Sequence, residues 1–314
     1  MMKPLSLALL AAFLFAAPAQ AETFEEAVAL YSDKDYKAAL QVAKPLAETG
    51  DVRAMAMLGT IYLNGLGVKK DVNAAVKWLT QAAEQNNAGA QFALAVHYLD
   101  ETSGKPNMIE AKKWMERAAN NGSVPAEHNM GLLAAGAGSG EPDWPRAKTW
   151  FEKAADKGFA EAQYNLAVLY AEGRGVEKNP VTAAEYFLKA AMQGMPDAAL
   201  EYGVMVFRGD GVEKNEEIGA QWLLVAAQRG NAIAQNRVAR VLAAGRGLKP
   251  DPIEAAKWHL LAAKGGRTDA WLEEFVSHLG ETDLAEARKR ADTWTSLHAA
   301  ERAFANEKAA KSGG

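Results

Sequence analysis

Apolar and polar positions along the chain follow a helical spacing that restarts every 36 residues. Within one cycle Ala162, Leu166, Leu169 and Tyr170 stand at i, i+4, i+7 and i+8, one face of an α-helix. A second stripe per cycle reads Ala75, Trp78, Leu79 and Ala82. Steps of 36 from Trp78 reach Trp114, Trp150, Tyr186, Trp222 and Trp258. The same step from Ala54 reaches Ala90, Ala126, Ala162, Ala198, Ala234 and Ala270; from Ala47 it reaches Ala83, Ala119, Ala155, Ala191, Ala227 and Ala263. Registers that stay in phase over seven cycles predict a repeat architecture whose unit is a pair of helices.

The ends of those helices are marked as well. Asp35, Asp71, Asn107, Asp143, Asn179, Asn215 and Asp251 share one register, and all carry the short acceptor side chain that suits an N-cap. Pro180 and Pro252 follow at the first helical position, where a missing N–H costs nothing. The first helix of each pair then stops near Gly50, Asn86, Gly122, Gly158, Gly194, Gly230 or Gly266, the residues that best adopt the left-handed conformation closing a helix. The second helix runs into a Gly-x-Gly turn at residues 65–67, 173–175, 209–211 and 245–247. The turns join helix to helix and recur, so they read as reversals with positive φ rather than as phosphate cradles, which lie between a strand and a helix. The repeated large ring beside repeated alanines reads as core filling, large against small.

The expected fold class is all-α: a right-handed α/α solenoid of about seven helix pairs over residues 35–280. An N-terminal capping helix covers 22–34, and a C-terminal capping helix with a polar, frayed tail covers 281–314. Leu284, Ala287, Ala291, Trp294 and Leu297 give the closing helix its stripe. Terminal helices of this kind shield the open faces of end repeats.

Residues 1–21 read as a signal peptide. Lys3 supplies the basic start, Leu5 to Ala17 the apolar segment, and Ala19-Gln20-Ala21 the small-x-small site, so cleavage near Ala21 and a periplasmic or secreted chain are expected. The chain has no cysteine, which excludes a lipid-modified cysteine, disulfides, thiolate metal sites and a cysteine nucleophile. Net charge is −4, and loss of Lys3 makes it −5, which argues against nucleic acid as a partner. No later segment is apolar enough for stable membrane insertion.

Asp143-Trp-Pro-Arg-Ala-Lys-Thr-Trp150-Phe-Glu-Lys-Ala-Ala155-Asp-Lys-Gly158, followed by Ala162-Gln-Tyr-Asn-Leu166-Ala-Val-Leu-Tyr170-Ala-Glu-Gly173-Arg-Gly175-Val, writes out one repeat. This resembles the Sel1-like repeat family, related to the tetratricopeptide repeat, over residues 35 to 280. The resemblance implies a right-handed superhelix whose concave face binds protein partners. Exported bacterial members of that family include a periplasmic exopolysaccharide regulator of a sensor kinase, to which the layout is similar. They also include a cysteine-rich branch credited with β-lactam binding or hydrolysis, from which this chain departs by having no cysteine. It departs again in two turns: Glu101 and Ser103 replace the glycines of one, and the run from Gly136 to Gly140 shifts another.

No catalytic, cofactor-binding or metal-binding set is visible. His97, His128, His259, His278 and His298 sit at unmatched positions, and no Gly-x-Ser-x-Gly elbow occurs. The chain therefore reads as a non-enzymatic adaptor or scaffold for a protein or peptide partner in envelope signalling or assembly. A secreted effector scaffolding a host protein and an envelope hydrolase of the β-lactamase-like repeat type are the alternatives. One register of the first helices changes character along the chain, from Thr80, Glu116 and Glu152 to Leu188, Leu224 and Leu260; the next runs from Gln81, Arg117, Lys153 and Lys189 to Val225 and Leu261. Stacking alone does not predict the switch. Leu188, Leu224, Val225, Leu260 and Leu261 are accordingly the expected partner-binding groove, suited to an amphipathic helix or extended peptide.

Overall fold

The structure, a computed structural model, describes residues 23–100, 106–137 and 140–313. The expected signal peptide, the turn containing Glu101 and Ser103, and Gly138 of the shifted turn lie outside the described residues. The described residues form sixteen helices and no strand. An opening helix α1 (Phe24–Ser32) is followed by first helices α2 (Tyr36–Glu48), α4 (Val72–Glu84), α6 (Met108–Asn120), α8 (Trp144–Asp156), α10 (Pro180–Met192), α12 (Glu216–Gln228) and α14 (Pro252–Lys264). Between and after them come second helices α3 (Val52–Asn64), α5 (Ala88–Leu99), α7 (Val124–Ala134), α9 (Ala160–Glu172), α11 (Pro196–Arg208), α13 (Ala232–Ala244) and α15 (Ala270–Ser277), then α16 (Glu281–Gly313). Consecutive helices pack in chain order, giving an α/α solenoid.

The seven first helices are each 13 residues long and start 36 residues apart. All seven cap residues work as the spacing predicts: each side-chain oxygen accepts the backbone N–H three residues on, at 2.9–3.1 Å. Five of them also donate their own N–H to a carbonyl nine residues earlier, near the end of the preceding second helix. That bond joins the two helices across their connection and satisfies an orphan carbonyl at once. Consequently the most extensive packing is across these turns, between α3 and α4, α5 and α6, or α11 and α12, and not within the pairs that the cap register marks off.

Small residues set those contacts. Gly59 of α3 faces Leu79 of α4, Gly131 of α7 faces Phe151 of α8, and Gly203 of α11 faces Gly219 and Leu223 of α12. A Cβ on Gly203 would stand 3.0 Å from the Gly219 carbonyl, so the two backbones touch there. The recurring alanines are buried to the same end, from Ala54 through Ala234 in one register and from Ala47 through Ala227 in the other. Ala270 is exposed, because α15 is only eight residues long and the seventh unit is incomplete.

Both glycines of each Gly-x-Gly turn have positive φ, as do the glycines that end the first helices, but the two kinds differ in surroundings. Gly247 (φ +74°) lies against the Glu216 backbone at the start of α12, where a Cβ would collide, whereas Gly50 (φ +106°) has nothing within 4 Å. Gly50→Ala should therefore cost only the left-handed penalty of about 1–2 kcal/mol. Gly247→Ala should add an overpacking cost of about 1–3 kcal/mol. Urea unfolding of the two variants measures the difference; equal losses would mean that the turn relaxes freely.

Candidate partner-binding faces

The first helices present a row of rings. Trp114, Trp150 and Trp258 are buried, while Trp78, Tyr186 and Trp222 are half-buried. Each ring edge enters the core, as the large-and-small pattern requires. The outer face is covered by a cation from the same helix: Arg117 over Trp114 at 4.7 Å, Lys153 over Trp150 at 4.1 Å, Lys189 over Tyr186 at 4.7 Å and Lys257 over Trp258 at 4.1 Å. Such contacts attract by about 0.5–1 kcal/mol where solvent reaches them and let the alkyl stem lie on the ring. Spacing alone did not reveal this cover. Its signal is the basic residue three positions after the ring at Arg117, Lys153 and Lys189; Val225 and Leu261 occupy that position farther along, and Lys257, one residue before Trp258, supplies the cover there instead.

The expected groove residues separate by register. Leu188, Leu224 and Leu260 are half-buried, as are their counterparts Thr80, Glu116 and Glu152. The environment is thus alike in six units while the chemistry changes halfway. The neighbouring register is not uniform: Lys153 and Lys189 are exposed, Val225 is half-buried, and Leu261 is 4% exposed within the main core cluster. Beyond Leu261, α16 packs along α14. Ala287 and Ala291 are buried, Trp294 meets the Trp258 ring edge-on at 6.1 Å, and Lys264 and Asp292 pair at 2.8 Å. Leu297 of the same helix stays 61% exposed. Beside Leu224 a hollow of about 500 Å³ opens, bounded by Leu242, Leu248, Trp258 and Trp294.

Beneath both faces runs a buried polar ladder that the sequence reading passed over. Gln91, Gln163 and Gln235 share one register of the second helices and donate to the carbonyls of Ala83, Ala155 and Ala227, at 2.8, 3.3 and 3.2 Å. These are members of the recurring alanine register, so each glutamine caps the C-terminus of the preceding first helix. Gln91 and Gln163 in turn accept from Asn121 and Gln193 at the end of the next first helix, at 2.9 and 2.8 Å. In the intervening unit Glu127, 3% exposed, accepts from Lys157 at 2.8 Å instead. The legible trace was the Ala-Gln pair at 90–91, 162–163 and 234–235.

The histidines offer little chemistry. Burial lowers the pKa of His259 in α14 and of His128 in α7, which disfavours the charged ring at both. His128 lies 2.9 Å from Asn165, and the His259 Nδ1 is buried without a partner. Among the described residues no three His, Asp or Glu side chains gather where a metal could bind, and no helix is long and apolar enough to cross a membrane. At the far end, hydrogen bonds from Arg240 at 2.6 and 2.7 Å hold the Asp269 carboxyl down to about 2. Asp269 also accepts from Asn236 and caps α15 through the Leu272 N–H.

The Sel1 repeat family model matches residues 52–87, 88–123, 124–159, 160–195, 196–231 and 232–266. Each matched unit begins with a second helix and ends with the following first helix, the pair that packs most extensively. Among solved structures, the fold is shared with a protective antigen of uropathogenic Escherichia coli displaying an SLR fold, at 24% identity and a TM-score of 0.76. That match covers 91% of this chain, which spans only 64% of the antigen. A Sel1 repeat protein from Oxalobacter formigenes is 28% identical, with a TM-score of 0.66, over 77% of this chain and 97% of that one. No curated protein matches the chain.

Two outcomes follow from these bonds. Lys157→Met strands a buried carboxylate and should cost about 1–3 kcal/mol, while Glu127→Gln with Lys157→Gln recreates the Gln163–Gln193 rung and should recover most of it. Chemical denaturation of both proteins decides, and a double variant no better than the single one would exclude the ladder. A carboxyl held below its unfolded value stabilises fully above about pH 4 and loses that contribution as pH falls through about 2. Asp269→Asn should therefore be less stable than the unaltered protein at pH 6, the gap closing toward pH 2 in parallel urea titrations.

Proposed function

The chain belongs to the Sel1 repeat family, and from that premise we propose that it is a non-enzymatic periplasmic adaptor, binding a protein or peptide partner in envelope signalling or assembly. Repeats of this family serve as protein-interaction scaffolds. One observation carries the site: Leu188, Leu224 and Leu260 are half-exposed at a register that is Thr80, Glu116 and Glu152 in earlier units of the same geometry. Leu224 and Leu260 also pack against the main core cluster, and the part of each that stays exposed is apolar surface offered to a partner where the earlier units offer Thr or Glu. The hollow beside Leu224 opens midway along the row, and its volume of about 500 Å³ has room for one large side chain of a partner helix or extended segment. Val225 borders the row, and Leu261 supports it from within the core.

The periplasmic placement rests on residues 1–21, whose basic start, apolar segment and Ala-x-Ala site suit export. A photo-crosslinker placed at Leu224 in living cells should yield a discrete adduct, and one at the exposed Lys112 should not. Adducts of equal yield from both positions, or from neither, would remove the groove. Fractionation that finds the mature chain in the medium rather than the periplasm would favour the secreted effector.

A further inference from the structure

The second-helix side carries a cluster that the repeat does not need. A hollow of about 570 Å³ lies between α11, α13 and α15, and Arg208, Lys214, Arg237, Arg240 and Arg246 line it together with Phe207 and Trp271. Leu223 and Val241 form part of its buried floor. In other units of the chain, the position of Arg237 holds Met57, Ala93, Asn129, Asn165 or Glu201. That of Arg240 holds Thr60, Val96, Leu132, Val168 or Val204, and that of Trp271 holds Met55, Gln91, Glu127, Gln163, Ala199 or Gln235. Three departures from the repeat therefore meet in one place, on a protein whose net charge is −4.

The charges inside are only partly answered. Arg240 is engaged by Asp269, and Arg246 and Lys214 by Glu216. Arg240 lies over the Trp271 ring at 5.3 Å and Arg246 over the Phe207 ring at 5.1 Å, so both guanidinium groups are fixed. Arg208 has no hydrogen bond or ion pair among the described residues. The Nε of Arg237 is buried without a partner, and burial together with the Arg208 charge pushes the pKa of Arg237 down. Glu201 is the third carboxylate near the cluster. Five cations against three carboxylates leave an excess of two positive charges around the hollow; Arg237, the most buried of the five, is the one whose charge an incoming anion would relieve most.

We infer that this hollow binds an acidic segment of a protein partner, two carboxylates meeting Arg208 and Arg237 while an apolar side chain lies between Phe207 and Trp271. Two unpaired guanidinium groups match two carboxylates, each able to accept a forked pair of hydrogen bonds. A lone phosphate would satisfy the charge but leave most of the 570 Å³ and both aromatic walls unused. Trp271 is 44% exposed, a large ring at the rim of a concave site, as interface anchors are. The site shares no residue with the Leu188–Leu224–Leu260 row, so either can fail without the other.

The test is fluorescence anisotropy of the intact protein with a labelled, N-acetylated hexapeptide alternating Glu and Phe. Saturable binding that falls as salt rises is expected, with the matching Gln–Phe peptide not binding. Arg208→Ala removes an exposed, unpartnered side chain and leaves the fold alone; it should weaken binding about tenfold, and Arg208→Ala with Arg237→Gln further. Lys153→Ala, on the other side, should change affinity less than about twofold. Equal affinity for R208A and the unaltered protein overturns the proposal, as does equal binding of the Gln–Phe peptide. Phenylacetate or inorganic phosphate binding as tightly as the peptide also overturns it, by assigning the hollow to a small anion.

Discussion

Close approach of helix backbones is the constraint on which the rest of this molecule depends. Where α11 crosses α12, Gly203 and Gly219 leave no room for a side chain, and alanine or glycine occupies the facing positions of the other crossings. Small residues at a crossing let a large neighbour, Leu79 or Phe151 or Leu223, fill the remaining space, which brings an alanine-rich chain to interior packing density. The 13-residue first helices, their caps and the positive-φ turns all serve to deliver the small residue to the same depth each time. A shift of one residue would rotate the stripe by about 100° and put a large side chain in the crossing. The period of 36 is thus a packing requirement expressed along the sequence.

Much of this was legible before any coordinates, because it is local. Asp71 or Asn179 announces a helix start by its own chemistry, and Gly158 a helix end by its own conformational freedom. What could not be read was which neighbour each helix prefers. Spacing shows that α3 and α4 exist, but the closing bond from Asp71 N–H to the Tyr62 carbonyl, which makes them the tighter pair, joins residues across a turn whose shape periodicity does not report. The glutamine ladder escaped for a related reason. Gln91 looks like a surface residue by type, and only the orphan carbonyl of Ala83 in front of it accounts for its burial. Leu261 shows the opposite case: its register suggests a groove surface, whereas the side chain is 4% exposed and lies in the main core cluster.

A repeat protein supplies its own internal comparison. Six versions of one position share nearly the same surroundings, so a residue that all of them share is accounted for by stacking, and one that departs alone needs another cause. By that measure the rings of the first helices are structural, and so are the glycines. Leu188, Leu224 and Leu260 are not, and neither are Arg237, Arg240 and Trp271. These departures fall on both sides of the same C-terminal units, α10 to α15, while those of the earlier units lie in the turns at 101–103 and 136–140.

That concentration has a physical basis. Each unit of a solenoid touches only its neighbours, so a local loss of stability is not spread through the whole chain. An excess of like charge around Arg237, or a row of leucines facing solvent, weakens the units that carry it and few others. Those units are the ones with additional support. The α16 helix packs along α14 and joins its rings to Trp258, and the Arg240–Asp269 pair ties α13 to the start of α15. The end of the stack that carries the least favourable surface is the end with the longest cap. The cap and the exposed chemistry therefore belong to one arrangement: extra burial on α14 offsets the cost of surfaces that the repeat, left to itself, would not keep.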